Sequence, residues 1–157
     1  EQLMAQKTAR FLSLLETELP TPMPGAYELL RDMQQSELAV ALVTGSYRKE
    51  IEPVLDSLGW RDFFPLIITR DDVQNAKPHP EPYLTALERL NFSAGECLAL
   101  EDSATGIRSA HDAGLTVLAI STPHTTLAHD VGYSALFFSL PEVGEHVRQL
   151  LLSPSRH

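Results

Sequence analysis

Two adjacent carboxylates, Glu101 and Asp102, stand where an apolar run stops and a helical pattern begins, within CLALEDSATGIRSAHDAG from Cys97 to Gly114. Side by side they repel unless a cation joins them, and a hard divalent ion such as Mg2+ is the usual solution. The plainer alternative is that Asp102 and Ser103 only cap the following helix. Lys77, in the loop Asn75-Ala76-Lys77-Pro78-His79-Pro80, carries a compact positive charge on a flexible stem, suited to an anion. By spacing alone, a lysine in such a loop is more often simply solvated. Thr44 offers a hydroxyl after another apolar run, and the Gly45 and Ser46 N–H groups are expected to open a helix, whose positive end favours phosphate. A cap-and-turn role for Thr44 and Gly45 is the alternative. Metal, cation, hydroxyl and helix N-terminus together make a phosphate site. Phosphoryl transfer asks a protein mainly for positioning and charge stabilisation.

The elements around these residues follow from apolar spacing. Cys97 to Leu100 carries no charge and suits a strand buried on both faces, with Ser103 as N-cap of the next helix. Ile107, Ala110 and Ala113 keep helical spacing until Gly114 stops it. Leu38 to Val43, six apolar residues in a row, predicts a buried strand ending at Thr44. Leu66 to Thr69 is a third apolar segment, closed by Arg70-Asp71-Asp72. These two aspartates read as capping or solvated loop residues, with an accessory site as the alternative. Leu115 to Ile120 and Ala135 to Phe138 supply two more strands. Helical spacing marks Ala26, Leu29, Leu30 and Met33, then Ile51, Val54, Leu55 and Leu58 before Gly59. It marks Tyr83, Leu84, Leu87 and Leu90 behind Pro80 at N1, and a last helix over Glu142 to Leu152 with Val143, Val147, Leu150 and Leu151 inward. Ser93-Ala94-Gly95-Glu96 reads as a capped turn. Strand and helix alternate, which predicts an α/β fold with a doubly wound, Rossmann-like parallel sheet. Every strand then ends on one edge, so Thr44, the Lys77 loop and the Glu101/Asp102 pair are expected to converge there.

Composition narrows the rest. At 157 residues the chain is most simply one domain, and 43% hydrophobic with 21% charged residues is ordinary for a globular protein. A formal net charge of −9 argues against a nucleic-acid binder, which needs a basic face. The single cysteine, Cys97, excludes an internal disulfide and reads as core. No apolar run is long enough to cross a bilayer and no signal peptide is visible, so a cytoplasmic location with no membrane partner is the default. The histidines lack zinc spacing; His124 and His129 would not share a helix face, and His111 and His146 read as surface residues. Glu1 to Leu19 has the pattern of an amphipathic helix already under way at its first residue, which suggests a preceding segment. Pro20-Thr21-Pro22-Met23-Pro24-Gly25 breaks that helix, and Ser153 to His157 is expected to fray.

From Met23-Pro24-Gly25 to about Phe138 the chain resembles the haloacid dehalogenase-like (HAD) superfamily of phosphatases. The branch is that of β-phosphoglucomutase, phosphoglycolate phosphatase and related sugar-phosphate phosphatases. Leu42-Val43-Thr44-Gly45-Ser46 resembles its second motif, whose Thr or Ser binds the transferring phosphoryl group. Lys77-Pro78-His79-Pro80-Glu81-Pro82-Tyr83 resembles its third, whose Lys neutralises phosphate and nucleophile. Leu100-Glu101-Asp102-Ser103, with Gly106-Ile107 and Ala113-Gly114, resembles its fourth, the acidic Mg2+ motif. The resemblance thus implies Thr44 and Lys77 as catalytic residues, Thr44, Gly45, Ser46 and Lys77 around phosphate, and Glu101 and Asp102 at the metal.

The departure from the pattern is informative. The family begins with an apolar strand ending in Asp-x-Asp, nucleophile first and general acid/base second, and this sequence has no such strand. The resemblance makes residues 1–19 the last helix of a truncated cap, 20–25 a linker, 26–152 the core and 153–157 a tail. The absent strand would lie mid-sheet, between the Leu38 and Cys97 strands, so either further residues fill that place or the two halves close up. The expected parent is a monomeric, Mg2+-dependent phosphomonoester hydrolase working through an aspartyl-phosphate. Its substrate would be a small phosphorylated metabolite such as a sugar phosphate or phosphoglycolate. The 157 residues alone, lacking a nucleophile, are expected to be inactive. A non-catalytic phosphate-binding module and a phosphosugar mutase are the alternatives. A dehalogenase is disfavoured by the acidic pair, since its chemistry needs no metal. A response-regulator-like domain would need an acidic pair on its first strand.

Overall fold

The computed structural model describes residues 10, 13–15, 18, 20–123, 125, 127 and 132–152. The helix expected over the first nineteen positions falls mostly outside this set, as do His124, His129 and the 153–157 tail; residues 13–15 are helical. The described elements run α1 (Ala26–Gln35), β1 (Ala41–Val43), α2 (Arg48–Leu58), β2 (Leu66–Ile68), α3 (Glu81–Leu90), β3 (Leu98–Glu101), α4 (Ala104–Asp112), β4 (Thr116–Ile120), β5 (Ala135–Phe137) and α5 (Leu140–Leu152). Gly59 and Gly114 adopt positive φ where α2 and α4 end, a conformation that costs glycine little. Pro80 is the N-cap of α3 rather than its first residue.

All strand pairings among the described residues are parallel, but they form two sheets. In one, β1 pairs with β2, Ala41 opposite Leu66 through Val43 opposite Ile68. In the other, the order is β3-β4-β5, with Leu98 opposite Thr116 and Leu118 opposite Ala135. No ladder joins β1 to β3, so the two sheets have not closed up against each other.

Helices cover both faces, as a doubly wound sheet requires. On one face Val117 and Ala119 of β4 meet Tyr83 of α3 and Ile107 and Ala110 of α4. On the other, Leu118 of β4 meets Val143 and Val147 of α5, with Leu29 and Met33 of α1 beside them. An ion pair between Arg148 and Asp32, at 2.8 Å, ties α5 to α1.

Three burial expectations differ from the structure. The Leu38 to Val43 run, expected as a buried strand, is a strand only over Ala41–Val43, and all three residues are half-buried. The β3 run was expected to be buried on both faces, yet it alternates: Ala99 and Glu101 are inside, while Leu98 and Leu100 are 44% and 39% exposed. The α1/α5 layer covers β4 and stops short of β3, which leaves that side of β3 facing the gap. Leu84, Leu150 and Leu151 are also exposed rather than inward, because α3 buries Tyr83 and Ala86 instead and the last turn of α5 outruns its partners.

Behind the sheet edge, Asp72 joins three elements. Its carboxylate accepts from the buried Thr69 hydroxyl (2.7 Å) after β2, from Arg48 of α2 (2.7 Å) and from Arg89 of α3 (3.1 Å). Asp71 accepts the Arg48 N–H at 2.8 Å, so both aspartates serve as caps and clamps. Partial burial by itself would raise the Asp72 pKa, but the Thr69 hydrogen bonds, then Arg89 and the charge of Arg48, hold it at about 2. A folded-state pKa below the unfolded one means the ionised carboxylate stabilises the fold above about pH 4. That contribution, on the order of 2 kcal/mol, is lost as the pH falls toward about 2. Urea unfolding should find Asp72→Asn less stable than wild type by about that amount near neutral pH, with the two converging at about pH 2.

Candidate active site

The carboxyl ends of β1 and β3 and the loop before α3 border one cleft of about 580 Å3. Thr44, Gly45, Lys77, Glu101 and Asp102 line its polar end, and Leu42 and Leu100 its apolar wall. The convergence expected from strand direction is therefore present for these five residues. Ser46 is not among those lining the cleft.

Lys77 comes from the loop that Pro78, in cis linkage, and Pro80 keep irregular. Its ammonium donates to the Val43 carbonyl, the last of β1, at 2.9 Å, and directly to Glu101 Oε1 on β3. The Tyr83 hydroxyl donates to the same Oε1, and the Lys77 ammonium lies 4.9 Å from the Tyr83 ring centre. Glu101 is only 7% exposed, so these donors are what make its charge tolerable there. Its second oxygen, Oε2, is 3.4 Å from the Ser103 hydroxyl. Asp102, next in sequence, is exposed and turned to the cleft. Ser103 caps α4 as expected, its oxygen accepting from the Gly106 N–H at 3.1 Å.

The Thr44 loop departs from expectation. The helix opens at Arg48, not at Gly45, and nearby groups already take its first donors. The Ser46 N–H goes to Thr44 Oγ1 (3.1 Å), the Tyr47 N–H to Glu50 Oε2 (3.0 Å) and the Arg48 N–H to Asp71. Capping side chains thus satisfy the helix terminus internally. Among the described residues this leaves the Gly45 N–H without a protein partner at the cleft.

Two carboxylates, an ammonium, a hydroxyl and an amide suit a hard cation together with a phosphate. Mg2+ is commonly held by one or two carboxylates plus substrate oxygens and water. Among the described residues no group of three or more acidic, cysteine or histidine side chains could hold a metal by itself.

The family model for haloacid dehalogenase-like hydrolases matches residues 1–120. The chain belongs to the haloacid dehalogenase-like hydrolase family. It is 32% identical over 121 residues to the validoxylamine A 7′-phosphate phosphatase of Streptomyces hygroscopicus subsp. limoneus, covering 77% of this chain and 57% of that protein. It is 36% identical over 125 residues to the plasmid CbbY of Cupriavidus necator, covering 78% of this chain and 48% of that one. Among solved structures, CbbY of Rhodobacter sphaeroides in complex with phosphate superposes with a TM-score of 0.84 at 28% identity, over 91% of this chain and 65% of that one. A mutant of the same protein in complex with xylulose-(1,5)bisphosphate superposes equally well. The chain spans about half the length of these curated relatives.

Within this haloacid dehalogenase-like chain, several residues that hold the site were not read as such. Tyr83 reads in sequence as one more apolar position of α3; the signal available was a buried phenol, which needs a partner for its hydroxyl. Ser109 of α4 is fully buried and donates to the His79 carbonyl at 2.6 Å, pinning the Lys77 loop from behind. The Glu81 carboxylate accepts the Gln74 and Asn75 N–H groups at 2.6 and 2.9 Å, and Arg70 donates to the Val73 carbonyl at 2.7 Å. No local pattern announces these last contacts.

Gly106 has a steric role. A Cβ there would collide with the Glu101 carboxylate, which lies against the first turn of α4. Gly95 faces open space. Helix propensity alone favours Ala over Gly by about 1 kcal/mol, yet Gly106→Ala should destabilise by about 1–3 kcal/mol from overpacking. Gly95→Ala should stay within about 0.5 kcal/mol of wild type. Denaturant unfolding of the two variants checks the contrast.

Proposed function

We propose that this chain is the phosphate- and Mg2+-holding part of a phosphomonoester hydrolase acting on a small phosphorylated metabolite such as a sugar phosphate or phosphoglycolate. The observation that carries the reading is the meeting of Thr44, Lys77 and the Glu101/Asp102 pair at one cleft. The Thr44 hydroxyl and the Gly45 N–H hold phosphate oxygens, with the neighbouring Ser46 shaping the turn through its bond to Thr44. Lys77, held by Glu101 and the Val43 carbonyl, presents a fixed positive charge to the transferring group. Asp102 would ligate Mg2+ directly, and Glu101 directly or through water. The cation, when bound, neutralises charge that builds on the phosphoryl oxygens. Relatives named for a phosphate-ester phosphatase and for a sugar bisphosphate complex support this substrate class.

The covalent step needs a carboxylate nucleophile, which the family resemblance assigns to the first Asp of an Asp-x-Asp strand. The cleft between β1 and β3 has edges such a strand could pair with: not laddered to each other, and apolar at Leu42 and Leu100. In that arrangement the Asp oxygen bonds to phosphorus as the ester P–O bond breaks. The second Asp protonates the leaving oxygen and then helps water release the phosphate. Without that strand the 157 residues bind but do not turn over.

Calorimetry on the full chain with Mg2+ and inorganic phosphate should show binding that Lys77→Ala and Asp102→Asn each weaken. A panel of sugar phosphates should show no hydrolysis until a peptide of an apolar strand ending in Asp-x-Asp is added. Turnover by the chain alone, its mass verified, would overturn the supplied nucleophile. Phosphate binding unaffected by both substitutions would overturn the site.

A further inference from the structure

Tyr83 lies in the core behind the cleft and reaches a cleft-lining carboxylate, a contact its sequence position does not explain. Its side chain is 7% exposed, and its hydroxyl donates to Glu101 Oε1, the oxygen Lys77 also engages. A phenol carries its proton at neutral pH and a carboxylate oxygen only accepts, so the hydroxyl is the donor in this contact. A phenylalanine would fill the same apolar space among Ala99, Ile107 and Val117, so packing alone does not call for the hydroxyl.

Resting on the cation reading above, we propose that Tyr83 is a positioning residue, which together with Lys77 occupies Glu101 Oε1 and so presents Oε2 to a divalent cation. The lysine alone is a poor orienter, since an ammonium on a flexible stem follows whichever oxygen turns toward it. The phenol is rigid, set by two torsions on a helix packed against β1, β2 and α4. It fixes the carboxylate plane from one side, while Gly106 backs the carboxylate from the other. Oε2 lies against Gly106 at the first turn of α4, where its one side-chain neighbour is the Ser103 hydroxyl at 3.4 Å.

The test uses the full chain, with Mn2+ alone and inorganic phosphate alone as probes. Tyr83→Phe should lower Mn2+ affinity by about tenfold, as loss of an outer-shell partner does, with phosphate affinity unchanged. Leu87→Ala loosens the same face of α3 without touching the carboxylate, and it should lower stability with no change in Mn2+ affinity. Equal losses in the two variants, or parallel losses of both ligands in Tyr83→Phe, would make the role structural and overturn the proposal. A second readout needs no metal: the Glu101 carboxyl carbon resonance should move between wild type and Tyr83→Phe. A third needs no variant: the wild-type Tyr83 hydroxyl proton should exchange slowly and shift as Mg2+ is added. Should wild type bind neither cation, the metal reading falls, and the metal-free carboxyl resonance decides the positioning claim. A resonance that stays put overturns it.

Discussion

One ion pair spans a gap that no backbone ladder crosses. Lys77 bonds the terminal carbonyl of β1 and the carboxylate that ends β3, so a single ammonium bridges two sheets with no hydrogen bond between their strands. Either charge alone at that depth would be strongly unfavourable, and removing one partner of such a pair typically costs about 3–5 kcal/mol. Helix α3 backs the bridge from below by packing on β1, β2 and α4 together. The polar end of the cleft takes its shape from this pair: Asp102 is aimed outward because Glu101 is drawn inward.

How much of this is legible in the sequence depends on whether the information is local. Leu29 and Met33, Leu55, Ile107 and Ala110, Val143 and Val147 repeat at helical spacing and lie inward, and Ser103 and Gly114 bound α4 as their types suggest. Alternation of elements leads to the parallel, doubly wound order, and strand direction then gathers Thr44, Lys77 and Glu101 without any long-range information. The exposure of Leu98 and Leu100 is not legible in the sequence, because an uncharged run does not reveal which of its faces a neighbour covers. The start of α2 is equally hidden, because Glu50 and Asp71 answer its first amides, and one of these lies on a different loop. Tyr83, Ser109 and Asp72 act through partners 18, 30 and 24 positions away, beyond the reach of any periodic pattern.

Family membership and geometry bear on different parts of the molecule. The matched residues include the four site positions Thr44, Lys77, Glu101 and Asp102, while the relatives extend well beyond this chain. The acidic surface expected from a net charge of −9 makes the local arrangement more telling. Anion recognition here has to come from a few donors at short range, since the overall field of the protein repels a phosphate.

The segment carrying Lys77 is fastened at both ends: Glu81 and Arg70 grip it around Gln74, and Ser109 grips it at His79. Ordering a free backbone costs about 1–2 kcal/mol per residue in conformational entropy. Here folding has already met that cost, so an arriving anion finds its counter-charge in place and keeps nearly the whole of the attraction as affinity. Selectivity among ligands is then left to whatever surrounds the mouth of the cleft, because its floor has no slack with which to adapt.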